Sequence, residues 1–266
     1  MSTKSTKPNP NMIEFKTVTK VLGSKAVLDK ASFSIEKGET FAIIGRSGAG
    51  KSVILKLMVG LMQPDSGQVV IDGDDISYYT EAQLSPVRKK FGFLFQNSAL
   101  LNSLNVGENI GLPLREHREL PEHDIVKRVS DVLEIVGLKG TEGLMPGELS
   151  GGMRKRVALA RSVIRYPQII LYDEPTTGLD PIMANTINRL IIDLSERLKI
   201  TSIVVTHDMK STFMVANRIA LLYKGKIIQT GTVEHFQASK DPFIRQFVEG
   251  DADGPFEEET STVKKV

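Results

Sequence analysis

Short apolar runs punctuate the first half of the chain. Ile13 to Thr17, Ala31 to Ile35 and Thr40 to Ile44 are rich in β-branched and aromatic residues and bounded by Gly-containing turns, so each predicts a strand. Val69 to Ile71 runs into Asp72-Gly73, a pair suited to the positive φ angles of a tight hairpin. From Asn97 to about Tyr166 the period changes: Ile125, Val129, Val132, Leu133 and Val136 recur at three- and four-residue steps, which predicts inserted helices. Strand-sized runs return at Ile169 to Leu171, Ile203 to Val205, Ile219 to Leu222 and Lys226 to Gln229, with amphipathic helices between several of them. The pattern predicts an α/β fold with a mixed sheet, an antiparallel β edge region and a helical insert at about 97–166, all within one domain spanning 12–250. Residues 1–11 read as a solvated leader, and 251–266 as a tail without apolar period. Asp241 to Glu249 predicts a short helix capped by Asp241, with Phe243, Ile244 and Phe247 on one side. The tail beyond it, including Phe256, reads equally as a frayed end or as a strap across a partner.

Composition narrows the classes. In 266 residues, 34 basic and 32 acidic side chains give a net charge of +2, so nothing global draws the chain to nucleic acid or to an anionic lipid surface. No stretch approaches the roughly 18 consecutive apolar residues of a membrane span. The N-terminus lacks the apolar core of a secretory signal, and there is no cysteine for disulfides or thiolate metal sites, so a cytoplasmic protein is expected.

Three motifs carry chemistry. Gly45-Arg46-Ser47-Gly48-Ala49-Gly50-Lys51-Ser52 follows a strand and precedes the predicted helix Val53 to Val59, the context of a phosphate-binding loop. Its glycines let backbone N–H groups turn towards phosphate oxygens, Lys51 reaches the β- and γ-phosphates, and Ser52 can place its hydroxyl on Mg²⁺. Ile169 to Leu171 with Tyr172 runs into Asp173-Glu174, two carboxylates at a sheet edge. Asp173 is expected to orient Mg²⁺. Strand alternation turns Glu174 the other way, where it can polarise an attacking water. Leu149-Ser150-Gly151-Gly152-Met153 opens the basic helix Arg154 to Arg165; Ser150 suits an N-cap, and the glycines leave donors exposed at a helix start.

With that third motif the sequence resembles the ABC ATPases, and the resemblance covers nearly the whole chain. It implies a P-loop NTPase core that binds ATP with Mg²⁺ and hydrolyses it as a head-to-tail dimer. In that dimer Leu149 to Met153 cover the ATP held by the second copy. The resemblance also implies roles for Gln96 at the metal or attacking water, for Gly178-Leu179-Asp180 as a dimer loop, and for His207 at the γ-phosphate holding Glu174 and water in line. Val53 joins the nucleotide-binding set; Ser52, Gln96 and Asp173 form the metal set; Glu174, His207 and Lys51 form the catalytic set. His117, His123 and His235 match no family position and read as surface residues. Two departures stand out. Leu22 occupies the place where many members carry an adenine-stacking aromatic, and Met153 replaces the usual Gln.

Within that family the chain is similar to the ATPases of MCE-domain lipid transport systems, the Mla group. The likeness rests on the phosphate loop, Pro113-Leu114-Arg115-Glu116-His117, Leu149 to Met153, and Gln246-Phe247-Val248-Glu249-Gly250 followed by Gly254-Pro255. It implies a permease pair, a periplasmic MCE-domain protein, a STAS-domain partner, phospholipid as cargo moved between inner and outer membranes, and a peripheral position on the cytoplasmic face of the inner membrane; Leu100, Leu101, Leu104 and Ile110, apolar in an otherwise polar segment, are the expected permease-docking surface. An ATPase of another small-molecule transporter, or a soluble non-transport ABC ATPase, stays open as an alternative.

Overall fold

The computed structural model describes residues 10–116, 120–251 and 254–255. Most of the expected leader, most of the tail with Phe256, and His117 lie outside the described residues.

Strands β1 (Asn11–Leu22), β2 (Lys25–Glu36), β4 (Ser66–Ile71) and β5 (Asp74–Asp75) form a four-stranded antiparallel sheet in the order β2-β1-β4-β5. Its apolar face, with Ile13, Phe15, Leu28 and Ile35 buried, packs towards the larger sheet. That second sheet has six strands in the order β10-β9-β3-β8-β7-β6: β3 (Thr40–Ile44), β6 (Phe91–Leu94), β7 (Ile169–Asp173), β8 (Thr201–Thr206), β9 (Arg218–Tyr223) and β10 (Lys226–Thr232). All neighbours pair in parallel except β9 with β10. The antiparallel region expected at an edge is thus a sheet of its own, joined to the larger one where Asp29 N–H donates to the Gly225 carbonyl at 2.9 Å.

Every residue of β3 and β8 is buried. Near-continuous apolar strands of this kind are stable in parallel only when both faces are covered. Helix α1 (Lys51–Met58) supplies cover on one face. On the other lie α3 (Val106–Glu116), α4 (Glu122–Ile135), α5 (Gly151–Val163) and α6 (Pro181–Leu198), whose Ile110, Val129, Leu159 and Ile187 meet Tyr172 and Val204. Helix α2 (Glu81–Arg88) lies between β5 and β6, and α7 (Met209–Val215) between β8 and β9. Helices α8 (Val233–Ala238) and α9 (Pro242–Glu249) close a third cluster over Ile44 and Leu221. Asp241 caps α9, accepting from the N–H groups of Phe243 and Ile244.

The parallel register decides where chemistry can collect. Ile44 stands beside Thr206, Asp173 beside Val205 and Leu94 beside Tyr172, so the residues just beyond these strands emerge at one edge of the sheet. Gly45, Gln96, Glu174 and His207 are among them, at the carboxyl ends where open α/β sheets bind ligands.

Candidate functional site

The loop after β3 needs glycine at two positions. A Cβ on Gly45 would lie 2.5 Å from the Leu222 carbonyl oxygen, and Gly50 sits at φ 110° with its Cβ position 2.8 Å from the Val27 carbonyl oxygen. No side chain caps α1, which starts at Lys51, two residues before the predicted start. The Gly50 carbonyl accepts from the N–H groups of Val53 and Ile54, so an anion in the cleft would meet those of Lys51 and Ser52 together with the positive end of the dipole. Lys51 is buried, donating to the carbonyls of Gly45 at 2.8 Å and Arg46 at 3.3 Å, and its ammonium lies 3.7 Å from Glu174 Oε1. Burial pulls its pKa below the ordinary lysine value, against the opposing charges of Glu174 and Asp173.

Asp173 ends β7, and Glu174 has left the strand with φ 49°. Strand alternation, which the sequence suggested would turn Glu174 away from Asp173, does not apply to this left-handed residue beyond the strand end. Glu174 N–H donates to the Val205 carbonyl at 2.8 Å, which fixes the turn. Its side chain is held on three sides: Oε2 accepts from Thr177 Oγ1 at 3.1 Å and Thr206 Oγ1 at 3.2 Å, and His207 Nδ1 is within 3.0 Å of both oxygens. Such anchoring costs the carboxylate rotational freedom before any ligand arrives. Burial, and then repulsion from Glu174, raise the pKa of Asp173 above the usual aspartate value. A cation beside it would relieve both.

These groups face one cleft of about 700 Å³ lined by Arg46, Ser47, Gly48, Gly50, Lys51, Ser52, Val53, Gln96, Asp173, Glu174 and His207. Gly45 and Ala49 shape the loop without lining the cleft. Among the described residues no cluster of three or more His, Cys, Asp or Glu could hold a metal by itself.

Leu149 to Met153 and Gly178 to Asp180 lie away from the cleft. Ser150 Oγ accepts from Met153 N–H at 3.2 Å, Leu149 is buried, and Met153 packs against the helical core. Asp180 Oδ1 accepts from the N–H groups of Ile182 and Met183 as the cap of α6, and Gly178 adopts φ 79°. The two loops are neighbours, since a Cβ on Gly151 would lie 3.9 Å from Leu179 Cδ2.

Leu22 is 41% exposed and does not line the cleft; Val27, across the hairpin, does. The cleft also gains Gln246, Phe247, Gly250 and Asp251 from the end of α9, none of them expected. The sequence marked α9 as an amphipathic helix but carried no signal that its end reaches the phosphate loop. His123 is exposed beside Asp124, and His235 is exposed and bonded to Gln229, so both are surface residues as expected.

Comparison with known proteins agrees with this geometry. The family model described as ABC transporter matches residues 28–177. A relative named "Intermembrane phospholipid transport system ATP-binding protein MlaF" from Haemophilus influenzae is 42% identical over 93% of this chain and 94% of its own. The protein of the same name from Escherichia coli K12 is 40% identical over 92% and 91%. A solved structure, the dimeric post-hydrolysis state of the ATP-binding cassette MJ0796 bound to ADP and Pi, superposes with a TM-score of 0.77 at 33% identity, covering 84% of this chain and 99% of its own. A cleft with a capless helix start, a buried lysine and an anchored glutamate, on a chain this similar along nearly its whole length, belongs to the ABC transporter family of ATPases.

Proposed function

We propose that this chain hydrolyses Mg-ATP as a head-to-tail dimer, docks on a permease pair at the cytoplasmic face of the inner membrane, and energises phospholipid movement between inner and outer membranes with an MCE-domain protein and a STAS-domain partner. The observation that carries the catalytic part is Glu174, held by His207, Thr206 and Thr177 at the mouth of the phosphate loop. In this reading Arg46 to Val53 wrap the triphosphate and Lys51 exchanges its carbonyl contacts for the β- and γ-phosphates. Ser52, Gln96 and Asp173 hold Mg²⁺, which when bound neutralises charge on the phosphate oxygens. Glu174 takes the proton of the attacking water, and His207 keeps that carboxylate in line. Leu149 to Met153 close over the partner's ATP, with Gly178 to Asp180 beside them at the dimer contact.

The transport part rests on the MlaF relatives and on exposed apolar side chains in the segment that follows β6. Leu101 is 45% exposed, as is Phe95 at 43%, which stacks on Phe93 with centroids 4.1 Å apart. Ile110, expected on the same surface, is instead buried, and it holds α3 to the helical core. No helix among the described residues is long and apolar enough to cross a membrane, so membrane attachment falls to partners. Purification of the tagged chain from membranes tests this: membrane-spanning subunits and phospholipid should co-purify, and Leu101→Asp should abolish that without lowering the melting temperature. Capture of no membrane protein, or of a system with another cargo, would refute the transport reading.

A further inference from the structure

Lys155 is a lysine with almost no surface, 4% exposed, and among the described residues its ammonium has no carboxylate within salt-bridge distance. It donates instead to two main-chain carbonyls, that of Gln96 at 2.5 Å and that of Glu174 at 3.3 Å. Burying an ammonium is costly, and carbonyl oxygens stabilise it far less than a carboxylate would. Burial lowers its pKa, while the nearby charges of Asp173 and Glu174 oppose that shift. A position that needed only packing would be served better by an apolar side chain of the same length. The loops it joins are the two that carry Gln96 and Glu174 into the cleft, and Lys155 itself is not among the residues lining that cleft.

The helix that presents Lys155 is α5, whose N-cap is Ser150, about one and a half turns away. Further along the same helix, Arg161 donates to the carbonyls of Ser98 and Ala99, each at 2.8 Å. Ser98 and Ala99 both have positive φ, 61° and 48°, so the chain after Gln96 follows a strained path that α5 pins from one side.

We propose that Lys155 is a positioning residue for ATP hydrolysis: by clamping the Gln96 and Glu174 carbonyls to α5, it keeps the metal-side and water-side groups in register with the helix that starts at the Ser150 loop. The inference rests on the ATPase reading above. Since α5 opens at the loop assigned to the partner's ATP, the clamp gives one composite site a rigid path to the other.

Turnover and nucleotide affinity of the full-length chain, assembled with its partners, test this. Absence of turnover in the wild type would remove the ATPase reading and this inference with it. With an active wild type, Lys155→Met should lower kcat by roughly tenfold to a hundredfold, the scale of a small misplacement of catalytic groups. ATP affinity should stay within about twofold, because no phosphate contact is lost. Lys155→Arg, which keeps the donors, should recover much of the loss. If Lys155→Met does not fold, Lys155→Gln, with its shorter neutral donor, should give an intermediate kcat at unchanged affinity. In a Gln96→Ala background the Lys155→Met effect should shrink, since part of what it positions is gone. A kcat within about twofold of wild type, kcat and affinity falling together with the melting temperature, or effects that multiply in full in the double variant would each overturn the assignment.

Discussion

Two helix starts in this chain meet the problem of unpaired N–H groups in opposite ways. Helix α1 begins at Gly50 with no side-chain cap, inside a cleft that already contains Lys51, Asp173 and a triply anchored Glu174. Helix α5 begins at Ser150, whose hydroxyl caps Met153 N–H, on a loop outside that cleft. The first lies among the residues lining the cleft and is closed only by the Gly50 carbonyl, which accepts from Val53 N–H; the second is closed by its own N-cap side chain. On the proposed function, the loop before α1 is a site within the chain, whereas the Ser150 loop would join a site only when it meets a second copy. In the proposed head-to-tail dimer, a second copy would supply both halves at once.

The largest expected effect falls on the cleft. Glu174→Gln should bind ATP yet lower turnover by roughly a hundredfold or more, the usual scale of a general base; a steady-state ATPase assay checks it, and unchanged turnover would mean that the anchored carboxylate is not the water-activating group. Next is Asp173→Asn. Because the folded state raises the pKa of Asp173, the protonated form is favoured on folding, and this contribution to stability is lost as pH rises through the folded pKa. At neutral pH without nucleotide the variant should therefore melt higher, by roughly 2–4 °C. Its advantage should shrink as the pH falls through the carboxylate range, and calorimetry at two pH values separates this from a general packing gain.

Smaller changes sharpen the other side of the comparison. Ser150→Ala removes the cap of α5 and should cost about 1 kcal/mol in urea unfolding; no loss would show that the hydroxyl is not needed to finish the helix. Smallest is Leu22→Tyr. An aromatic at this exposed place should change the ATP dissociation constant by less than about threefold, well below the gain expected of a full stacking partner. Titration with ATP and GTP decides whether the base is recognised there at all.

Much of the site was legible because Gly45 to Ser52 and Asp173 sit in contiguous motifs at strand ends, while the family resemblance added His207 at the same sheet edge. What was not legible depended on backbone detail or on distant packing. The direction of Glu174 comes from one left-handed residue held by Val205, which strand periodicity does not reveal. Leu22 misses the cleft because the β1–β2 pairing shifts register between Val18 and Lys20 and again before Val21, so that Val27 takes the inward place. Ile110 reads as one of a surface group, yet it lies on the inner side of α3, beside a buried Asn109. The Asn109 amide satisfies the main chain at Leu101, Leu104 and Asn105. The sequence marked Arg154 to Arg165 as a basic helix but did not show that two of its cations, Lys155 and Arg161, turn inward to hold loop carbonyls.

The central claim, that the cleft of one copy is completed by the Ser150 loop of another, is tested most directly by sedimentation of the Glu174→Gln chain with and without Mg-ATP, alone and combined with Gly151→Asp. Aspartate at the first turn of α5 is compatible with the helix dipole and meets no close neighbour, so the chain should fold, but its charge would face the partner's phosphates. The expected result is a dimer that forms with ATP and is lost when Gly151→Asp is added. A chain that stays monomeric with ATP, or a dimer indifferent to Gly151→Asp, would contradict it.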